Sequence, residues 1–390
     1  MASPMPTAQA GSGPSPAQVN AAARSLILAQ ALDMCIPIYS NTITTGIGSV
    51  INIPLRNVGL IKRLWVEFSA PITPSAQNQA LGPLGVPTFF SNITFTDLSN
   101  QTRINTTGWH LNMISSMKRR RVFGAAYTTD TPNGFGDNFI TVMAASTTLT
   151  GGAGASTIYG MLEVPLSYTD MDLRGAIYGN VVNATMNLQL TINPNLLVIS
   201  TANGNQSLYK SAGAGAATLG NVTITVYQNF LDQLPVGQNG VVLPLVDLST
   251  AYLLNNTAVS GLVQNQDNPF PYANFRDFMS TTAIYDNNGT LNVGSDINYW
   301  SLQAANYTNI FRLDPNIETL YSRMILGDDP PKGTYYFDHR HKPVSTIQYG
   351  NMQLIMNPSN VGGSAATVYL GYESMALINM ITQAGSLYGT

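Results

Sequence analysis

From residue 36 onward the chain sets short apolar and β-branched runs between clusters of Gly, Pro and Asn, the texture of strands separated by turns. Strands are expected over residues 36–45, 50–55, 60–72, 88–96, 158–168, 185–192 and 222–230, and again over 281–285, 334–340, 344–349, 352–356 and 367–372. The run 60–68 is instructive because Leu64, Val66 and Phe68 fall on one side while Arg63 and Glu67 fall on the other. That alternation predicts a strand with one buried face.

Three segments depart from period two. Over residues 16–33, Ser15 can cap a helix with Pro16 at its first position, and Val19, Ala22, Ala23, Leu26 and Ile27 recur at helical spacing. Its charged residues are Arg24 and Asp33, so the outer face suits its own domain, a partner or a lipid headgroup layer alike. A second helix starts at Asp314 with Pro315 behind it, places Ile317, Leu320, Tyr321, Met324 and Ile325 on one face, and stops at Gly327. A third, shorter helix is expected over 169–178, where Thr169 and Asp170 precede Met171, Leu173 and Ile177. Each β-rich block then carries a helix in a long inter-strand loop.

A chain of 390 residues is longer than a single hydrophobic core usually supports. The turn-rich stretch Leu231, Asp232, Gln233, Leu234, Pro235, Val236, Gly237, Gln238, Asn239 and Gly240 is the natural connector. It divides the chain into a flexible arm and helix over 1–35, a first β domain over 36–235 and a second over 241–390. The arm, rich in Pro, Gly, Ser and Ala, has no positive charge before Arg24, so export by a secretory signal is not expected.

Composition sharpens the picture. The chain has 17 basic and 20 acidic residues, 9% charged, against a hydrophobic fraction of 44%; ordinary globular chains are about 25% charged. Neutral Asn, Thr and Ser must wet the surface. A net charge of −3 gives no general attraction to nucleic acid or anionic lipid, and no direct sequence-specific nucleic-acid binding is expected. Low charge density lets many copies pack side by side without repulsion.

Candidate chemistry is sparse. Among three histidines, His339 and His341 sit at i and i+2 beside Asp338, with Asp328 or Asp329 as remote third ligands. Arg340 and Lys342 repel a cation there, so a solvated strand end is the expected reading and no metal or cofactor is expected. Cys35, the one cysteine, could pair with His110 as a nucleophile, but its apolar setting favours a buried, inert thiol. Asp170 with Asp172, or Asp328 with Asp329, could act as glycosidase carboxylates; they read better as helix-start and turn residues. Lys118, Arg119, Arg120 and Arg121 form the only basic run and are expected in an exposed loop or a subunit contact. The chain is not expected to be an enzyme.

The stretch Thr225-Val-Tyr-Gln-Asn-Phe-Leu-Asp-Gln-Leu-Pro-Val-Gly-Gln-Asn-Gly-Val-Val-Leu-Pro-Leu-Val-Asp-Leu-Ser-Thr250 closely resembles the major capsid proteins of tectiviruses, tailless double-stranded DNA bacteriophages with an internal membrane. Residues 58–62, 107–111, 286–299, 313–315, 331–333, 342–343 and 348–351 resemble the same family in the same order. The resemblance implies an all-β double jelly roll, two eight-stranded barrels normal to a capsid shell. It further implies a homotrimer presenting six barrels and tiling an icosahedral facet with neighbouring capsid trimers. Minor capsid and vertex proteins would be partners, and the N-terminal helix would lie on the inner face near the viral membrane. The protein would be made in the host bacterial cytoplasm and reside in the virion. A virion receptor-binding or carbohydrate-binding β-sandwich is the alternative reading.

Overall fold

The computed structural model describes residues 16–44, 46–75, 79–81, 84–119, 148–181, 184–197, 207–211, 217–235, 249–291, 294–304, 309–326, 333–339, 343–363 and 366–377. Sixteen of its strands form two successive sets of eight. The first comprises β1 (Leu32–Ile43), β2 (Val50–Pro54), β3 (Leu60–Thr73), β4 (Phe90–Thr96), β5 (Thr102–Thr106), β6 (Ser156–Pro165), β7 (Asn187–Ile192) and β8 (Val222–Asp232). The second comprises β9 (Thr250–Ser260), β10 (Asn268–Pro271), β11 (Asp277–Asn287), β12 (Ile297–Ala304), β13 (Asn309–Leu313), β14 (Thr334–Asp338), β15 (Met352–Pro358) and β16 (Thr367–Leu377).

In the first set the antiparallel order is β1-β8-β3-β6 in one sheet and β2-β7-β4-β5 in the other. The second set repeats it as β9-β16-β11-β14 and β10-β15-β12-β13. First, eighth, third and sixth strands make one sheet, and second, seventh, fourth and fifth the other: this is the jelly roll, present twice. Period-two alternation drives it. Leu64, Val66 and Phe68 of β3 and Val222, Ile224 and Val226 of β8 are buried, whereas Glu67 is exposed. Phe68 stacks on Phe89 with ring centroids 4.5 Å apart. The second core is built around Trp300, whose ring centre lies 5.3 Å from that of Tyr335 and 5.4 Å from that of Phe337.

Between the barrels the ladder does not stop. Ile104 and Asn105 of β5 pair in parallel with Leu254 and Asn255 of β9, so one sheet of the first barrel runs into one sheet of the second.

Three helices of three or more turns are described: α1 (Pro16–Gln30), α2 (Gly108–Arg119) and α3 (Pro315–Leu326). α1 ends before Asp33, because β1 begins at Leu32 and pairs it with Asp232. The helix expected over 169–178 does not form. The Asp172 carboxylate accepts from the backbone and guanidinium N–H groups of Arg174, Gly175 takes a left-handed φ of 89°, and Ile177 and Tyr178 pair with Ile61 and Leu60 of β3. A carboxylate that satisfies its own turn competes with a helix. The long-loop helix of the first barrel is α2 instead. Likewise the strand expected over 344–349 is cut to Val344–Ser345, after which Ser345 Oγ accepts from the Gln348 N–H and starts the helical turn Thr346–Tyr349.

The connector also begins later than expected. Leu231 and Asp232 still belong to β8, and Gln233 turns the chain at a φ of 51° before Leu234 and Pro235. Val236, Gly237, Gln238, Asn239 and Gly240 lie outside the described residues, as do residues 1–15, Arg120, Arg121, Gly327, Asp328, Asp329, Arg340, His341 and Lys342.

Candidate functional site

Among the described residues, those proposed for chemistry are not brought together. Cys35 lies on β1 and is exposed, contrary to the buried setting expected from its apolar neighbours, because that side of β1 faces outward; partial desolvation and then the Asp33 charge raise its pKa. His110 lies on α2 and is fully buried, its Nδ1 2.6 Å from Thr106 Oγ1. Burial pushes its pKa down to about 3, which keeps the ring neutral. His339, expected in solvent, is buried beside Phe311 and lowered to about 4 by that burial. Asp170 is an exposed turn residue paired with Arg63. Among the described residues no three His, Cys, Asp or Glu side chains converge as metal ligands.

What the structure does build is a polar and aromatic seam between the barrels, centred on α2. Its first turn is capped by Thr107, whose carbonyl accepts from the Leu111 N–H and whose Oγ1 accepts from the His110 N–H. Leu111 and Ile114 enter the first barrel's core, while Trp109 and Met113 pack with Ile284 and Tyr336 of the second barrel. A helix with apolar residues on two sides is one that is covered on two sides.

The seam's register is set at two points. At Gly371 of β16 a Cβ would lie 2.1 Å from the His110 ring, so only glycine lets the imidazole rest on the strand. About two helical turns further along α2, Lys118 reaches the fully buried Glu373 of β16. The same ammonium donates to the Tyr168 carbonyl and lies 2.9 Å from the Tyr252 hydroxyl, with the Tyr168 and Tyr252 rings 4.5 and 4.7 Å away. Glu373 also accepts from Ser280 Oγ at 2.6 Å and from the Tyr252 hydroxyl at 2.7 Å. Burial alone would raise the Glu373 carboxyl; the Lys118 charge and these hydrogen bonds outweigh it and hold it below the usual glutamate range. Lys118 is therefore an interior counter-ion joining the two barrels. It is not the exposed loop residue that the basic run suggested.

Outside the seam, α1 is split. Ala23 and Ile27 bury against Leu60, Leu173, Ala176 and Leu231, whereas Val19, Ala22 and Leu26 are exposed. Arg24 pairs with Asp172 at 3.5 Å and Asp33 with Lys62 at 2.8 Å. α3 is inverted relative to the expected amphipathic helix. Glu318 and Ser322 point inward, and Ile317, Leu320, Tyr321 and Met324 point to solvent. Glu318 accepts from Ser322 Oγ at 3.0 Å, and burial raises its pKa to about 8.

Two jelly rolls fused through a continuous sheet, with a seam that binds the barrels to each other, define the double jelly-roll class of fold. Two family models match the sequence, the P3 major capsid protein N-terminal domain over residues 7–234 and its C-terminal domain over residues 249–388. The chain belongs to this P3 major capsid protein family, a structural family and not an enzyme family. It is 36% identical over 375 residues to the major capsid protein P3 of Enterobacteria phage PRD1, covering 95% of this chain and 94% of that protein. The fold is also that of the STIV major capsid protein, with a TM-score of 0.64 at 11% identity over 91% of this chain and 99% of that one. The PBCV-1 virus capsid structure matches with a TM-score of 0.54 at 12% identity over 90% of this chain and 95% of that one. The chain is a capsid protein of a bacteriophage virion.

Proposed function

We propose that three copies of the chain join into a pseudo-hexagonal trimer of six barrels, and that trimers tile an icosahedral shell around an internal membrane and a double-stranded DNA genome. The observation that carries this reading is the internal repeat: two barrels of the same strand order stand beside each other in one chain, so a three-fold ring presents six similar building units. Sparse charge supports it, because Asn, Thr and Ser can satisfy hydrogen bonds at buried contacts without the desolvation cost of ions. The division into 1–35, 36–235 and 241–390, with the connector at 231–240, belongs to the same proposal.

Within the shell, the exposed Val19, Ala22 and Leu26 of α1 would meet the viral inner membrane or a neighbouring trimer. Minor capsid and vertex proteins complete the contacts, synthesis takes place in the host bacterial cytoplasm, and no sequence-specific nucleic-acid binding is involved. Light scattering of the purified protein should return three times 41.8 kDa; a single-copy mass at micromolar concentration overturns the trimer. Deleting residues 1–30 should leave trimers intact and abolish particles seen by electron microscopy, and normal particles would remove the role given to α1.

A further inference from the structure

α2 and α3 occupy the same place in the two barrels. Each follows the fifth strand and precedes the sixth, and each packs on the sixth strand and on the fourth with the 3-10 turn before it. What holds them there differs. α2 buries Trp109, Leu111, Met113 and Ile114, and Lys118 reaches a buried counter-ion in Glu373. In α3, over residues 315–324, the buried side chains are Pro315, Glu318 and Ser322. A helix of this length is marginal alone and owes its place to what it packs on. For α3 the centre of that packing is a carboxyl group.

Glu318 is 1% exposed. It accepts from Ser322 Oγ at 3.0 Å, one turn along the same helix, and the Tyr336 backbone N–H of β14 faces it. Among the described residues β14 pairs with β11 alone, so the carboxyl stands beside the open edge of the sheet. Its Oε2 has no hydrogen-bond partner among the described residues. The ionisable groups on the elements packed against α3 are Tyr335, Tyr336 and Asp338 on β14, Tyr299 on β12, His110 and Lys118 on α2, and Asp296 in the turn Gly294–Asp296. None of them pairs with Glu318: Lys118 is held by Glu373, burial keeps His110 neutral, and Arg323 of α3 itself lies on the exposed side. A buried carboxylate with no counter-ion and one oxygen unbonded is costly, and the group stays neutral instead. Burial accordingly raises the Glu318 pKa to about 8.

We propose that Glu318 is a pH-sensitive latch: with its carboxyl protonated α3 lies closed on β14, and when the proton leaves α3 opens away from the second barrel. Opening gives the carboxylate the water that the closed site denies it. A carboxyl whose pKa is raised in the closed form favours closure fully below its free value of about 4.3; closure then weakens about tenfold per pH unit and levels off above pH 8. α2 has no such dependence over this range, because the Glu373 carboxyl is held below the usual glutamate range and stays ionised. Rising pH therefore loosens the connector of the second barrel and leaves the seam in place.

The test is amide hydrogen exchange of the full chain, read by mass spectrometry between pH 5 and pH 8 and corrected for the intrinsic exchange rate at each pH. Peptides covering residues 315–326 should lose protection about tenfold per pH unit in wild type and keep it in Glu318→Gln, while peptides covering 108–119 keep theirs in both. Protection of α3 that does not change with pH in wild type, or that falls equally in Glu318→Gln, overturns the latch. Should the Gln variant misfold, wild type decides by itself: a steeper loss in α3 than in α2 supports the latch, and equal slopes overturn it.

Discussion

α2 and α3 are the same connector in two copies of one barrel, yet they carry opposite chemistry on their two sides. α2 is apolar toward its own core and aromatic toward the neighbouring barrel, with Lys118 neutralised inside the seam. α3 turns Glu318 and Ser322 inward and an apolar stripe outward. The difference teaches that a helix's polarity answers to what covers each of its sides: α2 is covered on two sides within the chain, and α3 on one.

The seam side of the comparison should break most severely. Lys118→Ala strands a fully buried Glu373 carboxylate and should destabilise the chain by about 3–5 kcal/mol in urea unfolding. Adding Glu373→Gln should restore most of the loss, because the uncompensated charge is then gone. The pair also sets an acid limit. The folded pKa of Glu373 is depressed, so its contribution is complete above the unfolded value of about 4.3 and is lost as pH falls through the folded value. Wild type should therefore lose more melting temperature between pH 5 and pH 3 than the Lys118→Ala, Glu373→Gln double variant; equal losses would contradict this.

Gly371→Ala comes next. The added methyl meets the His110 ring, and overpacking of that kind costs about 1–3 kcal/mol, read by thermal unfolding.

On the α3 side, Glu318 has a folded pKa raised to about 8, with burial as the main cause. Stability is fully present below the unfolded carboxylate value of about 4.3, declines as pH rises, and reaches its lowest contribution above pH 8. Glu318→Gln should raise the stability by about 2–4 kcal/mol at pH 8.5 and by little at pH 4. A pH-independent effect would sink this account. The smallest effect is expected at Met324→Ala, which should change single-chain stability by no more than about 0.5 kcal/mol because the side chain stands in solvent.

Much of the architecture was legible in the chain. The alternation of β3 placed Leu64, Val66 and Phe68 inside and Glu67 outside, although Arg63, set on the outer side with Glu67, is buried in its pairing with Glu163, and the Asp314 and Pro315 start of α3 stands where its capping grammar put it. Residues 102–106, 250–260, 268–271, 297–304 and 309–313 were not marked as strands. In β11 and β16 both sides are covered, so period two disappears and only fragments of each strand stood out. α2 escaped for the same reason: apolar residues on two faces hide the helical stripe, although Thr107 as cap before Gly108 was a usable signal. The inversion of α3 could not be seen, because an apolar stripe reads alike whether it meets the chain's own core or another molecule. Lys118 and Glu373, 255 positions apart, carry no local sign that they will meet.

Backbone hydrogen bonds cross from Ile104 and Asn105 to Leu254 and Asn255, so the two halves of each chain behave mechanically as one stiff tile. In the proposed shell, a facet assembled from such tiles would resist bending at their midlines, and strain during filling or drying of the particle would fall along the edges where separate chains abut.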